Sequence, residues 1–467
     1  MEEKKSAAKL LKEQLLMEPK NGGILLTDAE ISKAMDYCEG YKAFLDEAKT
    51  EREAVSYAIR EAHKRGYTPF EKNKKYTKGD KIYYNNRGKS LILAVIGQKP
   101  LDAGVRISAA HIDSPRLDIK QRPLYEESQI AEFKTHYYGG IKKYQWTAVP
   151  LALHGVICKS DGTTVTVRLG EDDCDPQFCV TDLLPHLDKT SFKKPLGEVF
   201  DGEKLNVIVG SLPFRDDKES ELVKLNMIKI LNEKYGIVEA DFLSAELTMV
   251  PAHKARDIGF DRSMIGAYGH DDRVCAYPAL TALFNCGVPD TTSVCVLADK
   301  EEIGSEGNTG LLSAYLKYFI ADLARPYGLA GRDVLSNTKC LSADVTAAFD
   351  PTYPDAMEKN NAAYLNYGVG VNKFTGHGGK YDTSDASAEF TAWVRNLLDS
   401  KGIQWQLSEL GKVDQGGGGT VAKYIAQLDV DVIDVGVPVL SMHAPFEIVA
   451  KLDVYAAYRA FFEFYLA

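Results

Sequence analysis

No stretch of the 467-residue chain approaches the ~20 consecutive apolar residues that a membrane-spanning helix needs. A bilayer-embedded protein is therefore not expected. Positive charge is also short. Lys and Arg number 56 against 66 Asp and Glu, for a net charge of −10, and no Lys/Arg cluster offers a basic face. That excludes nucleic acid as a partner, because its recognition starts with neutralising phosphates. It likewise gives no reason to expect an anionic membrane surface. Cysteine is sparse, with 8 residues. Cys174 and Cys179 lie five apart with no second pair to complete a zinc knuckle, and several others sit in apolar runs such as Ser293-Val-Cys-Val. Buried free thiols in a reducing compartment are expected. The opening MEEKKSAAKLLKEQLL lacks a continuous apolar region. It reads as an amphipathic surface helix and not as a signal peptide, which makes the expected location cytoplasmic. There is no internal repeat, and no low-complexity tract beyond Gly416–Gly419.

What remains is an ordinary globular composition, 45% apolar and 26% charged, with ample core for two or three domains. Residues 1 to about 65 read as helices, with Asp28 a candidate cap and a helical pattern from Lys42 to Lys64 that stops at Gly66. Lys81–Tyr84 and Ser90–Ile96 form a hairpin signal around Asn85-Asn86-Arg87-Gly88, and Val105–His111 is the next strand. After Pro123 the pattern turns β-rich: Gly155–Cys158, Thr163–Leu169 and Leu205–Val209, with a helix over 220–235 ended by Gly236. From Gly259 helices and strands alternate. Helices are expected over 273–284, 308–323, 385–398 and 453–465, and strands over 293–300, 338–346, 364–371 and 431–435. Such alternation implies a mainly parallel α/β sheet. The expected organisation is a discontinuous domain, residues 1–123 and 251–467, interrupted by a β-rich insert over 124–250.

Five short motifs carry chemistry. Val294–Gly307 runs as a buried β-branched strand into Asp299-Lys-Glu-Glu-Ile-Gly304, so Glu301 and Glu302 fall where α/β folds bind ligands. Adjacent glutamates repel unless a cation or a shared proton compensates. Ala110-His-Ile-Asp-Ser-Pro115 sets His111 and Asp113 two apart on one face of an extended segment. One can hold a metal while the other orients it. Gly269-His-Asp-Asp-Arg273 places Asp271 at a helix start. Ser342-Ala-Asp344 and Ser441-Met-His443 both end strands. Singly, each motif fits a cap, a turn or a solvated charge. Together they supply two histidines and three carboxylates at strand ends, the ligand count for two divalent ions sharing one bridging carboxylate.

As an ordered set, HIDSP, GHDDR, DKEEIGS, SAD and SMH resemble the aspartyl aminopeptidase family of two-zinc exopeptidases, over essentially the whole chain. The resemblance implies a zinc-exopeptidase-like mainly parallel sheet sandwiched by helices, with the insert as a dimerisation domain. It implies that Asp271 bridges both metals, that His111 and Asp344 complete one site, and that Glu302 and His443 complete the other. Glu301 would be the general base, with Asp113 supporting His111. His270 stands where the family usually has an apolar residue, and its ring is expected to face away. His154, in the insert, is either a satisfied structural histidine or one that reaches a neighbouring subunit's site. Lys380 and Tyr381 match the family's basic residue and tyrosine loosely. Gly416–Gly419, centred on Gly417 and Gly418, is either a flexible loop or a stretch that lets backbone amides approach substrate. Where the family has two histidines after SAD, this chain has Ala347 and Asp350, so a preference for acidic N-terminal residues is not carried over.

The activity so implied is hydrolysis of N-terminal residues from peptides. Two zinc ions, with cobalt or manganese as substitutes, would lie ~3.5–4 Å apart and lower the pKa of a shared water. Glu301 would take its proton and pass it to the leaving amine. The rival readings are another two-metal hydrolase on the same scaffold, a carboxypeptidase or deacylase, and a non-catalytic assembly protein. A homo-oligomer is expected, a dodecamer built from dimers.

Overall fold

The structure is a computed structural model, described for residues 5–216 and 218–467. Met1–Lys4, the start of the expected N-terminal helix, lie outside the described residues. The remainder of that helix spans Ala7–Leu15, capped by Ser6 and buried nowhere.

A nine-stranded sheet forms the centre. Its middle strands are Ser293–Ala298, Arg106–His111, Lys339–Ser342 and Asp431–Gly436, each parallel to its neighbour. Every residue of Ser293–Ala298 is buried, because its side chains alternate between two cores. Val294 and Val296 join a cluster with Phe319 and Ile425, from helices Tyr315–Ala324 and Ala422–Ala426. Cys295 and Leu297 join the opposite cluster, with Tyr41, Phe44 and Phe461 from helices Asp28–Glu47 and Lys451–Leu466. Helix cover on both faces makes the strand a continuous apolar run. The mixed pairings lie toward the edges, where Ser90–Val95 runs antiparallel to Ser293–Ala298.

Register decides what the sheet delivers. Ala298 pairs with His111, and Ser342 pairs with Ala109. Two of the three strands end level and the third stops two residues short, and the residues after them emerge at one carboxyl edge.

A second, five-stranded sheet was not evident from the pattern. Its order is Arg256–Ile258, Met264–Ala267, Glu447–Ala450, Pro438–Leu440 and Thr346–Ala347. The insert forms a third, antiparallel sheet of seven strands. It runs from Arg116, ahead of the expected 124, to Pro251. Its core holds Phe133, Trp146 and Met249.

Several boundaries differ from expectation for identifiable reasons. The pattern over 42–64 is broken into helices ending at Glu47 and starting at Glu51. Thr50 is extended there, and it exchanges capping-box bonds with Glu53, which satisfies otherwise orphaned amides. Likewise Thr27, not Asp28, caps its helix, with Glu30 as partner. The helix expected from Asn308 begins at Tyr315. Before it the chain folds back on itself, with Leu312 N–H donating to Ser305 O at 3.2 Å. All eight cysteines are unpaired, but only five are buried. Cys158 and Cys174 are exposed and Cys179 is half-buried.

Candidate active site

The neighbouring strand ends place Asp113, Glu301 and Asp344 together, while the small sheet brings Asp271 and His443. Lys300 adopts φ +68° and Gly304 φ +90°, bracketing a single 3-10 turn over Glu301–Ile303. In a strand the two glutamates would point to opposite faces. The left-handed Lys300 starts the turn one residue before the pair, and both reach the same cleft.

Asp113 fixes that turn. Its Oδ1 accepts the Glu301 N–H at 3.1 Å and its Oδ2 accepts the Glu302 N–H at 3.2 Å. Its main-chain carbonyl lies 3.0 Å from His111 Nδ1. With Nδ1–H donating there, His111 turns its Nε2 toward the cleft. His443 is set the same way, its Nδ1 lying 2.8 Å from the Gly140 carbonyl.

Asp271 sits between the imidazoles. His111 Nε2 is 3.0 Å from its Oδ1, and His443 Nε2 is 3.1 Å from its Oδ2. Asp344 Oδ1 lies 3.8 Å and Glu301 Oε2 3.9 Å from His111 Nε2, and Glu302 Oε2 lies 3.6 Å from His443 Nε2. Donors around a tetrahedral zinc with bonds of ~2.0–2.2 Å stand roughly 3.4 Å apart, so these separations suit the ion. The ligand atoms of His111, Glu301 and Asp344 lie within 4.8 Å of one another, as do those of His111, Asp271 and Glu302. Distance alone thus does not distinguish the two glutamates, but their exposure differs. The Glu302 side chain is 3% exposed, and its Oε1 is buried with no hydrogen-bond partner. The Glu301 side chain is 18% exposed, at the cleft surface. An orphaned buried carboxylate oxygen is what a cation would satisfy.

The electrostatics agree. Burial pushes the Glu301 carboxyl up to about 7, with Asp113 and Asp271 adding to it against His111. Burial and Asp271 drive Glu302 well above its ordinary value, and burial and Asp272 do the same to Asp344. Although burial opposes ionisation of Asp271, hydrogen bonds from His111 and His443 hold it below the carboxylate range. So many carboxylates gathered out of water repel one another, and cations would relieve them.

One contributor has no signal of its own in the sequence. Glu447 is buried, and it accepts the Asp271 N–H at 3.1 Å and the His443 N–H at 2.7 Å. It steadies His443, whose left-handed backbone (φ +65°) costs ~1–3 kcal/mol. Its place four residues after His443 is the one available hint.

The cleft encloses about 510 Å³, walled by Val345, Thr346, Asn372, Leu410 and the Gly417–Gly419 backbone. Gly417 (φ +123°) pairs with His377, and a Cβ on it would lie 2.1 Å from the Gly376 carbonyl. Only glycine lets the two segments lie this close.

Three expected substrate contacts do not line this cleft. Lys380 is 2.9 Å from Asp385 and stacked 3.9 Å from the Phe374 ring centroid, and Tyr381 is exposed on the same loop. His154 is fully buried, bonded to Glu53 Oε1 at 2.8 Å. Its Nε2 is buried without a hydrogen-bond partner, 3.5 Å from Glu171 Oε2. The His270 ring does face away, bonded to Tyr41 Oη at 2.7 Å and the Ile265 carbonyl at 3.1 Å.

Known proteins share this arrangement of sequence and fold. The profile of the family described as Aminopeptidase I zinc metalloprotease (M18) matches residues 44–465. A curated relative from Clostridium acetobutylicum, "Probable M18 family aminopeptidase 1", is 50% identical over 449 residues, covering 94% of this chain and 97% of the relative. The crystal structure of an M18 family aminopeptidase from Thermotoga maritima superposes with a TM-score of 0.92 at 45% identity, covering 96% of this chain and 99% of that one. The S. cerevisiae mApe1 dodecamer shares the fold at 20% identity, with a TM-score of 0.75 over 92% of this chain and 96% of that one.

Proposed function

The chain belongs to the M18 family of zinc aminopeptidases, and on that premise we propose that His111, Asp271, Glu302, Asp344 and His443 hold two zinc ions and that Glu301 is the general base. The observation that carries this reading is Asp271, whose two oxygens each face a different imidazole Nε2, at 3.0 and 3.1 Å. One carboxylate between two histidines is the geometry of a bridging ligand. His111 and Asp344 would complete one site, and His443 and Glu302 the other. Cobalt or manganese would be tolerated by the same imidazole and carboxylate donors.

When bound, the ions supply Lewis-acid polarisation of the scissile carbonyl and a lowered pKa for water, to about 7. Everything else falls to the protein. Glu301, at the cleft surface, takes a proton from the water as its oxygen bonds to the carbonyl carbon. It then returns that proton to the nitrogen of the breaking C–N bond. The products are a free amino acid and a peptide shortened by one residue. General base action of this kind is worth roughly 10²–10⁴-fold. Burial and acidic neighbours raise the Glu301 carboxyl, and His111 and His443 draw it back. The glutamate and aspartate wall suits a free α-ammonium group, and the Gly417 and Gly418 backbone would align the substrate chain.

Glu301→Gln tests the assignment. Zinc content by plasma emission spectrometry should be unchanged while turnover of amino-acid p-nitroanilides falls at least about 100-fold. Substantial turnover by that variant would remove Glu301 as the base. N-blocked peptides should not be cut, since a carboxypeptidase or deacylase on this scaffold would accept them.

We further infer a homo-oligomer, a dodecamer assembled from dimers through the insert. Supporting it are exposed apolar side chains on the insert, among them Leu183, Leu187, Phe192 and Leu212. A monomeric mass by light scattering would refute it. Eight cysteines without a disulfide support a cytoplasmic location.

A further inference from the structure

The insert reaches into the catalytic cluster at one place. Its strand Ile130–Tyr138 ends in Tyr138-Gly139-Gly140, and this segment touches both halves of the site. Tyr138 Oη donates to Asp113 Oδ2 at 2.8 Å, the oxygen that also accepts the Glu302 N–H. Two residues on, the Gly140 carbonyl accepts from His443 Nδ1 at 2.8 Å. Between them Gly139 adopts φ +75°, and a Cβ there would lie 3.2 Å from Glu302 Oε2.

The tyrosine is itself held rigidly. Tyr138 pairs with Arg116 in the insert sheet, and the Arg116 guanidinium stacks 4.1 Å from its ring centroid. Arg116 is in turn tied to Glu51 at 2.9 Å and Asp118 at 2.8 Å. The hydroxyl is thus aimed by a stacked and ion-paired arginine, at an enclosed carboxylate.

From this geometry we propose that the insert is a positioning element of the active site, with Tyr138 as the positioning residue. The Tyr138 hydroxyl fixes the plane of the Asp113 carboxylate. That plane sets the turn carrying Glu301 and Glu302, since Asp113 holds both of their backbone amides. The Gly140 carbonyl meanwhile selects the His443 tautomer that leaves Nε2 free for a metal. One segment from a different sheet thereby sets the base, one carboxylate ligand and one imidazole ligand. Hydrogen-bonding partners behind metal ligands are commonly worth ~10–100-fold in metal affinity or activity.

The inference rests on the metal and base assignments made above, so its test keeps the two separable. Tyr138→Phe keeps the ring and its stack on Arg116 and removes only the hydroxyl. In the full-length enzyme, kcat should fall about 10–100-fold while KM stays within about twofold. Zinc titrated into the chelator-stripped variant should bind about 10–100-fold more weakly in at least one step, with the unfolding midpoint close to that of the parent. Parent-like kcat and parent-like zinc affinity would overturn the proposal. So would losses that merely track a large drop in unfolding midpoint. Glu301→Gln, measured alongside, separates the readings. If it stays active, the base assignment fails. If it is inactive while Tyr138→Phe behaves as the parent, the base assignment stands and the positioning role fails.

Discussion

The backbone N–H of Asp271 donates to Glu447 Oε2 at 3.1 Å. The carboxylate proposed to bridge two metals is thus held, through its own main chain, by a second carboxylate that touches neither imidazole ring. The other oxygen of Glu447 accepts the His443 N–H at 2.7 Å, so one buried side chain ties together residues 172 positions apart.

Glu447→Ala should therefore damage metal binding without removing a ligand. Two buried amides lose their acceptor, each costing about 1–3 kcal/mol, and both carriers of metal ligands are loosened. Zinc affinity measured by competition with a chromogenic chelator is expected to drop about 10–100-fold. Unchanged affinity would show that the turn holds its shape without Glu447.

Removing the metal should invert the pH dependence of stability. Burial raises Glu301 to about 7 and Glu447 to about 8. Unfolded, both would titrate near 4.5. A carboxyl raised in the folded state favours folding below its unfolded value, and that contribution is lost as pH climbs to the folded value. His443, lifted to about 10 by Asp271 and Glu302 against the effect of burial, acts in the same direction. The chelated protein should unfold at lower urea at pH 8 than at pH 5, by an amount on the order of several kcal/mol. Zinc at about 100 times its Kd should restore roughly 2.7 kcal/mol. Chelated protein that is more stable at pH 8 would contradict the crowding of carboxylates inferred here.

His154→Ala should cost stability and leave catalysis alone. The imidazole is enclosed and bonded to Glu53, whose other oxygen caps the helix beginning at Glu51 through the Thr50 N–H at 3.0 Å. Stranding Glu53 should cost about 1–3 kcal/mol, read as a lower unfolding midpoint, with kcat/KM within about twofold. A large loss of kcat/KM with unchanged stability would return His154 to the substrate site.

Much of the site was legible because it is written in short-range signals. A β-branched run from Val294 into paired glutamates announces a buried strand with charges at its end. His111 and Asp113 at a spacing of two share a face by strand geometry alone. Boundaries were less legible where a capping box competed with periodicity, as at Thr50 and Glu53, or where glycine-rich turns delayed a helix, as before Tyr315.

The residues that could carry the chemistry, and their placement at strand ends, were determined by sequence, because strand pattern and turn chemistry are local. Tertiary structure decided how those residues are gathered and how deeply each is buried. Glu301 and Glu302 are chemically identical neighbours, and the proposed division into base and ligand rests on their unequal burial, 18% against 3% exposed. Asp271 and His443 come from a second sheet, His111 from the central one, and Tyr138 from the insert. Their meeting depends on registers and packing between segments hundreds of residues apart, and no local pattern encodes a contact of that range.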